Sequence, residues 1–470
     1  MSQLGHQTIA AALRQDPRVI EARRLLHAAL ADHQAALESV RPADVERIEC
    51  YGKALEQFAH YRGSNLYFPY LGSGIGRGAL VELDDGSVKY DMIGGIGVHY
   101  FGHSHRRLID AALDAALADT VMQGNLQQNT ESAELAAALL ALATGSGGNL
   151  EHCFLTTSGA MANENALKLA FCRRHPADRV LAFSGGFCGR TLALAQVTDK
   201  AAYRTGLPTT LAVDYVPFFN TEAPERSTIM ALRALHAHFQ RYPGRHAAMI
   251  IELILGEGGY YPGQREFFVA LMQLLHEHEV TVIVDEIQSF GRTTEPFAFS
   301  HFGLQSLVDV VTVGKMSQVC ATLFDADHRP PPGLVSQTFT ASTSAILAAK
   351  QICAMMQEPG LFGPDGRIAR LSARFVDRLQ AIESRHPDWI SGPYGFGAMI
   401  AFTPLDGSPE TAKRLVHALF DAGVIGFVAG SNPARVRFLP PMPVLQEYEV
   451  DRVSELLEES LQHVAEGANV

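Results

Sequence analysis

The chain has no run of basic residues: across 470 positions, 38 Lys and Arg stand against 50 Asp and Glu, a net charge of −12. That balance argues against nucleic acid and anionic membrane surfaces as partners. Small carboxylate ligands stay open, because local arginines bind them whatever the net charge. No segment offers the roughly 18 apolar residues that a membrane span needs. The opening MSQLGHQTIAAALRQD lacks the basic start and unbroken apolar core of a secretory signal, so a cytoplasmic location is expected. The six cysteines (Cys50, Cys153, Cys172, Cys188, Cys320 and Cys353) form no C-x-x-C pair. Their scatter fits a reducing compartment and speaks against disulfides or a structural zinc, and no metal site is expected. Internal repeats and low-complexity tracts are also missing.

What is present is length and apolar content. With 47% hydrophobic residues and 41 glycines, the chain can build a large mixed α and β core in more than one domain. Residues 7 to 60 are expected to be helical, since VIEARRLLHAALADHQAAL carries apolar residues at helical spacing. ALVELDDGSVKYDM predicts a hairpin around Asp85-Gly86. From about Gly102 to Leu347, helical stretches such as ESAELAAALLALA and REFFVALMQLLHEHE separate the apolar runs VLAFSG, AAMIIELI, VTVIVDE and VDVVTVG. Strands apolar on both faces that alternate with helices predict a mostly parallel sheet covered on each side. DHRPPPG is expected to be a surface loop. The chain then divides into residues 1–101, a helical segment with strands of a small domain; 102–347, a large domain; and 348–470, a smaller α+β domain.

Ligands of doubly wound sheets sit at the carboxyl ends of the strands. Asp285 and Glu286 follow VTVIV, and Lys315 follows VDVVTVG. A strand-end acid and a lysine reaching for water would explain either alone. An ammonium against apolar strand residues is otherwise costly, unless it is neutralised, paired or used covalently. TTSGAMANENALKLAF starts as a small-residue turn and continues as a helix. Ser158, Gly159 and Ala160 at its start would offer backbone N–H groups to an anion, or act as a plain cap. FSGGFCGRT combines glycines with Phe187 and Arg190, and reads equally as a turn with a core Phe and a surface Arg.

One cofactor accounts for all four features together. Pyridoxal 5′-phosphate (PLP) needs a lysine for its aldehyde and a carboxylate for its ring nitrogen. It also needs a helix start for its phosphate and an aromatic face for its ring.

These segments, in this order, resemble the class III (ω-amino acid) aminotransferases of PLP fold type I, over about Gly78 to Pro441. YDMIGGIGVHYFGHSH is similar to that family's first strand and turn, TSGAMANENALKLAF to its phosphate-binding helix, and FCGRT to its aromatic loop. IIELILGEGG, VIVDEIQSFGRT, VDVVTVGK, QTF and VRFLPP follow as in the family. The resemblance implies Lys315 as Schiff-base lysine and proton shuttle, Asp285 on the ring nitrogen, Gln288 on the phenolic oxygen and Phe187 stacked on the ring. It implies Ser158, Gly159 and Ala160 at the phosphate, joined by Thr338 from the second subunit of a homodimer. Arg190 would bind the donor carboxylate, and Arg437 the α-carboxylate of 2-oxoglutarate or glutamate, with Glu257 masking it in the other half-reaction. For Glu257 and Arg437 taken alone, a surface salt bridge is the plainer reading.

The chain departs from the family at Cys188 (usually His), Leu253 (usually Pro), Met161 (often acidic) and TFTASTSA after Gln337. GKMSQVC and GAMANENALK look nearest to the lysine 6-aminotransferase branch. The expected activity is transfer of a terminal amino group from an ω-amino or diamino acid donor (lysine, ornithine, acetylornithine or 4-aminobutyrate type) to a 2-oxo acid, 2-oxoglutarate. The alternative is a PLP-dependent racemase, aminomutase or decarboxylase on the same scaffold, which needs no Glu257–Arg437 pair.

Overall fold

The computed structural model describes residues 8–119, 124 and 126–467. Residue 7 of the expected helical stretch, and the outermost residues of the first and third segments, lie outside them. The stretch to residue 60 is three helices, Ile9–Arg14, Pro17–Gln34 and Ile48–Arg62. Asp16 caps the second by accepting the Arg18 N–H at 2.9 Å, and Pro17 takes the first helical position. The interruption at 35–47 has a local cause. Pro42 disfavours helical backbone at Arg41, and Arg41 instead pairs with Val88 as an isolated bridge.

The hairpin forms as expected, and the strand ahead of it adds to it. β1 (Gly72–Arg77) pairs with β2 (Leu80–Leu83), and β2 with β3 (Val88–Asp91) through a turn whose Gly86 has φ 80°. Next in the chain come β4 (Leu150–Thr156), β5 (Arg179–Phe183), β6 (Ala212–Val216) and β7 (His246–Ile251). The two-residue strands β8 (Ile254–Leu255) and β9 (Tyr261–Pro262) bracket the turn Gly256–Gly259. β10 (Thr281–Asp285), β11 (Val310–Val313) and β12 (Cys320–Asp325) follow.

The central sheet has the order β4-β12-β11-β10-β7-β5-β6. Its pairings are parallel except those of β12, which runs antiparallel to β11 and β4. The residues between Val313 and Cys320 are too few for a crossover helix, so the chain must double back. That tight return is where Lys315 sits. Both faces of the sheet are covered. Val180, Ile250, Ile283 and Val310 pack with Ala166, Leu169 and Ala170 of the helix Gly159–Arg173. Leu181, Met249, Val282, Val284 and Val311 belong to the core that contains Phe267 and Leu271. Each such buried aliphatic side chain contributes roughly 1.5–3 kcal/mol.

A second sheet, β13 (Ile390–Phe396), β14 (Met399–Pro404), β17 (Ala434–Phe438) and β16 (Phe427–Gly430), is antiparallel. β15 (Val424–Ile425) leaves it to pair with β3. The late part of the chain thus completes a sheet begun by the early part. The loop expected at DHRPPPG opens with a short 3-10 turn, Ala326–His328, and is largely exposed beyond the buried His328.

Candidate active site

Asp285 ends β10 and is buried. Its Oδ2 accepts from Asn163 Nδ2 at 2.7 Å, and its Oδ1 from the Ile287 N–H at 3.0 Å. Asn163 Nδ2 also donates to the Cys188 carbonyl at 2.7 Å, while Thr312 Oγ1 donates to Asn163 Oδ1 at 2.7 Å. One amide therefore ties together the helix Gly159–Arg173, β10, β11 and the loop after β5. Burial pushes the Asp285 carboxyl up to about 6, against the pull of the Asn163 and Ile287 donors and the Lys315 charge.

Lys315 follows β11 with φ 51°, in the left-handed region. That conformation costs a non-glycine residue on the order of 1–3 kcal/mol and persists where the surroundings over-determine it. Burial, then Arg437, lower its amine to about 8, while Glu257 and Asp285 pull the other way. A fraction of the amine is therefore neutral, and nucleophilic, near neutral pH. Lys315 opens onto a cleft of about 550 Å³ that His99, Thr157 and Ala348 also line.

Ser158 caps the helix Gly159–Arg173, its Oγ accepting from the Met161 N–H at 3.2 Å. The first-turn N–H groups of Gly159 and Ala160 are among the donors that a helix start leaves without intrahelical partners. A Cβ on Gly159 would lie 2.8 Å from Ile287 Cδ1, so glycine lets this helix start press against the turn after Asp285. Phe187 is half-buried, and its N–H donates to Glu252 Oε1 at 2.7 Å. Glu252 Oε2 accepts the Gly256 N–H at 3.1 Å. Burial and the nearby Asp285 push this carboxyl up to about 8. It links the aromatic loop to the turn that carries Glu257.

Arg437, on β17, has no exposed surface. Its Nη2 donates to Glu257 Oε1 at 2.6 Å, and its Nη1 faces Gln288 Oε1 at 3.3 Å and the Gly256 carbonyl at 3.4 Å. Burial alone would raise Glu257, yet Arg437 and Lys315 hold it below the usual carboxylate range. The pair is thus an interior one, against the plainer reading of a surface salt bridge. Gln288 keeps Nε2 as a donor.

The structure brings Asp285, Gln288, Lys315, Glu257 and Arg437 into one cluster. Arg190 and Thr338 stand apart from it within the single chain. Arg190 is exposed, donates from Nη2 to Tyr203 OH at 3.1 Å, and lies 4.2 Å from that ring's centroid. Thr338 is exposed, with its carbonyl beside Gly124. Asn163, Thr312 and Glu252 escaped the reading of the sequence. Two of them carry a usable signal: Asn163 is a polar residue one turn after Gly159 on the face that packs inward, and Glu252 directly follows the apolar strand β7.

A lysine amine near 8, a buried carboxylate beside it and a glycine-tightened helix start fit PLP. The family description Aminotransferase class-III matches residues 72–461. The chain belongs to the class III aminotransferases. These are PLP-dependent enzymes of fold type I, as the motifs led us to expect, with an amino donor and a 2-oxo acid acceptor. The chain is 29% identical over 391 residues to an acetylornithine aminotransferase of Archaeoglobus fulgidus, covering 81% of this chain and 93% of that protein. It is 30% identical over 400 residues to acetylornithine aminotransferase 1 of Bradyrhizobium diazoefficiens, covering 82% and 91%. The lysine aminotransferase of M. tuberculosis shares the fold, with a TM-score of 0.76 at 23% identity over 87% of this chain and 99% of that one. The ornithine aminotransferase of Toxoplasma gondii ME49 does too, with 0.75 at 24% over 89% and 99%. The family match begins at residue 72, so the three N-terminal helices lie outside it. No helix among the described residues is long and apolar enough to cross a membrane.

Proposed function

We propose that this aminotransferase moves the terminal amino group of an ω-amino or diamino acid to 2-oxoglutarate by a ping-pong route. The observation that carries this reading is the pair of buried Arg437 and half-buried Glu257 at 2.6 Å, within electrostatic reach of Lys315. One pocket must take two substrates that differ at the α-carbon. An arginine masked by its own glutamate accepts an α-carboxylate only when that glutamate is displaced, so it discriminates between them. The relatives named for acetylornithine, lysine and ornithine support the donor class. A racemase or decarboxylase would have no use for this pair.

Bound PLP supplies the electron sink that makes a proton next to the amine removable. Asp285, held by Asn163, would keep a carboxylate at the ring nitrogen, and Gln288 would donate to the phenolic oxygen. Ser158, Gly159 and Ala160 would hold the phosphate, and Phe187 would cover the ring. Lys315 Nζ would hold the cofactor and would serve as the base that takes up and returns the substrate proton. Arg190 turns from Tyr203 to the donor's distal carboxylate. Thr338 completes the phosphate site from the second subunit of a homodimer. Domain limits near residues 101 and 347 and a cytoplasmic location complete the proposal.

A panel of amino acids mixed with the PLP-loaded enzyme tests the donor class through the absorbance of the bound cofactor. Lysine, ornithine, acetylornithine or 4-aminobutyrate should convert it to the amine form within one turnover. Conversion by alanine at an equal rate, or by none of the four, would contradict the reading.

A further inference from the structure

Arg435 and Arg437 lie two residues apart on β17 and so share a face of the strand. Only Arg437 meets a carboxylate. Arg435 is 6% exposed, its Nη1 donates to the Gly259 carbonyl, and its guanidinium lies 4.0 Å over the Tyr261 ring. Its Nε is buried without a partner. A buried guanidinium with no acid beside it is an uncompensated charge, which an incoming carboxylate would offset.

Arg435 lines a cleft of about 640 Å³. The cleft opens between the segment after β6 and β9 on one side and β13 on the other. Its walls include Phe219, Tyr260, Tyr261, Tyr394 and Phe396. Tyr394 has φ 57°, a conformation held against its own preference. Glu222, exposed, is the acid among the lining residues.

We propose that this cleft binds a small aromatic carboxylate, with Arg435 taking the carboxylate and the ring walls taking the planar body. Pockets of this kind pair an apolar lining with a few placed polar groups. A guanidinium whose Nε has no partner can offer that N–H to one carboxylate. Glu222 opposes a second negative charge, which disfavours phosphate. Arg435 also holds the carbonyl of Gly259, the last residue of the turn that carries Glu257. Occupant and substrate gate therefore share a segment, though the site does not depend on which donor the enzyme uses.

Benzoate binding to the PLP-loaded enzyme, followed by equilibrium dialysis, tests the proposal without turnover. One saturable site per chain is expected, with inorganic phosphate a poor competitor. Arg435→Met should weaken benzoate at least about tenfold, the scale of a charged hydrogen bond. Glu222→Gln, a change at an exposed position, should tighten it. Arg437→Ala should leave it in place. No saturable binding, unchanged affinity in Arg435→Met, or loss in Arg437→Ala would overturn the assignment. If Arg435→Met does not fold, Tyr261→Leu takes its place, and undiminished benzoate binding there would also count against the site.

Discussion

Asp285 ends one strand of the central sheet and Arg190 lies in the loop after another, yet their surroundings are opposite. Asp285 is buried and fixed by Asn163 at 2.7 Å and by a backbone N–H at 3.0 Å. Arg190 is exposed and rests on Tyr203. Arg437 stands between these extremes, buried but tied to a glutamate that keeps 24% of its side chain accessible. The floor of the site is locked, and its rim is held by contacts that a ligand can replace. Groups that every turnover needs can be fixed once, whereas groups that choose between two substrates must be able to exchange partners.

If that contrast is right, damage to the floor should hurt both half-reactions alike. Lys315→Ala should abolish turnover with every donor and acceptor, and borohydride should fix cofactor to this residue in the wild type. Peptide mapping that put the label on another lysine would break the scheme at its base. Asp285→Asn should slow both half-reactions by about 100-fold or more, as expected for a lost electrostatic group. A near-normal rate in either would show that the floor is not what the hydrogen bonds suggest.

Damage to the rim should be smaller and selective. Arg437→Ala should raise the apparent constant for 2-oxoglutarate by about 10- to 100-fold, the range of one or two charged hydrogen bonds, and change the donor little. Arg190→Ala should do the reverse, nearer the low end because its site is exposed. The gentlest probe is pH. The Lys315 amine sits at about 8 rather than 10.5, so its neutral form grows as pH rises and is nearly complete about one unit above 8. Capture of PLP by the cofactor-free enzyme should therefore speed up about tenfold per unit well below 8 and then level off. A rate still climbing through pH 10 would mean an ordinary lysine.

The floor was largely legible because its residues sit at strand ends, where apolar runs in the sequence point to them. Asp285 and Lys315 are of that kind. Asn163 was not legible, since one polar residue inside a helix is common and only its partners give it meaning; Glu252 directly follows β7, a strand end like that of Asp285, and was passed over there. The antiparallel course of β12 went unread too, although six residues between two apolar runs cannot hold a crossover. Arg41 pairing with Val88 broke a stretch whose periodicity looked helical throughout. The rim was legible only through resemblance. Nothing in the spacing of Glu257 and Arg437 tells that a turn and a distant strand bring them to 2.6 Å.

Separate half-reaction kinetics on Glu257→Ala test the account most directly, because this change unmasks Arg437 while leaving the floor whole. The donor half-reaction should then accept α-amino acids such as alanine at least several-fold better, with ω-amino donors losing their lead. The 2-oxoglutarate half-reaction should bind its substrate as tightly or more so, since no glutamate has to be displaced from Arg437. Unchanged discrimination between α- and ω-amino donors, with both half-reactions slowed equally, would contradict the gate and leave the Glu257–Arg437 pair as part of the fixed floor.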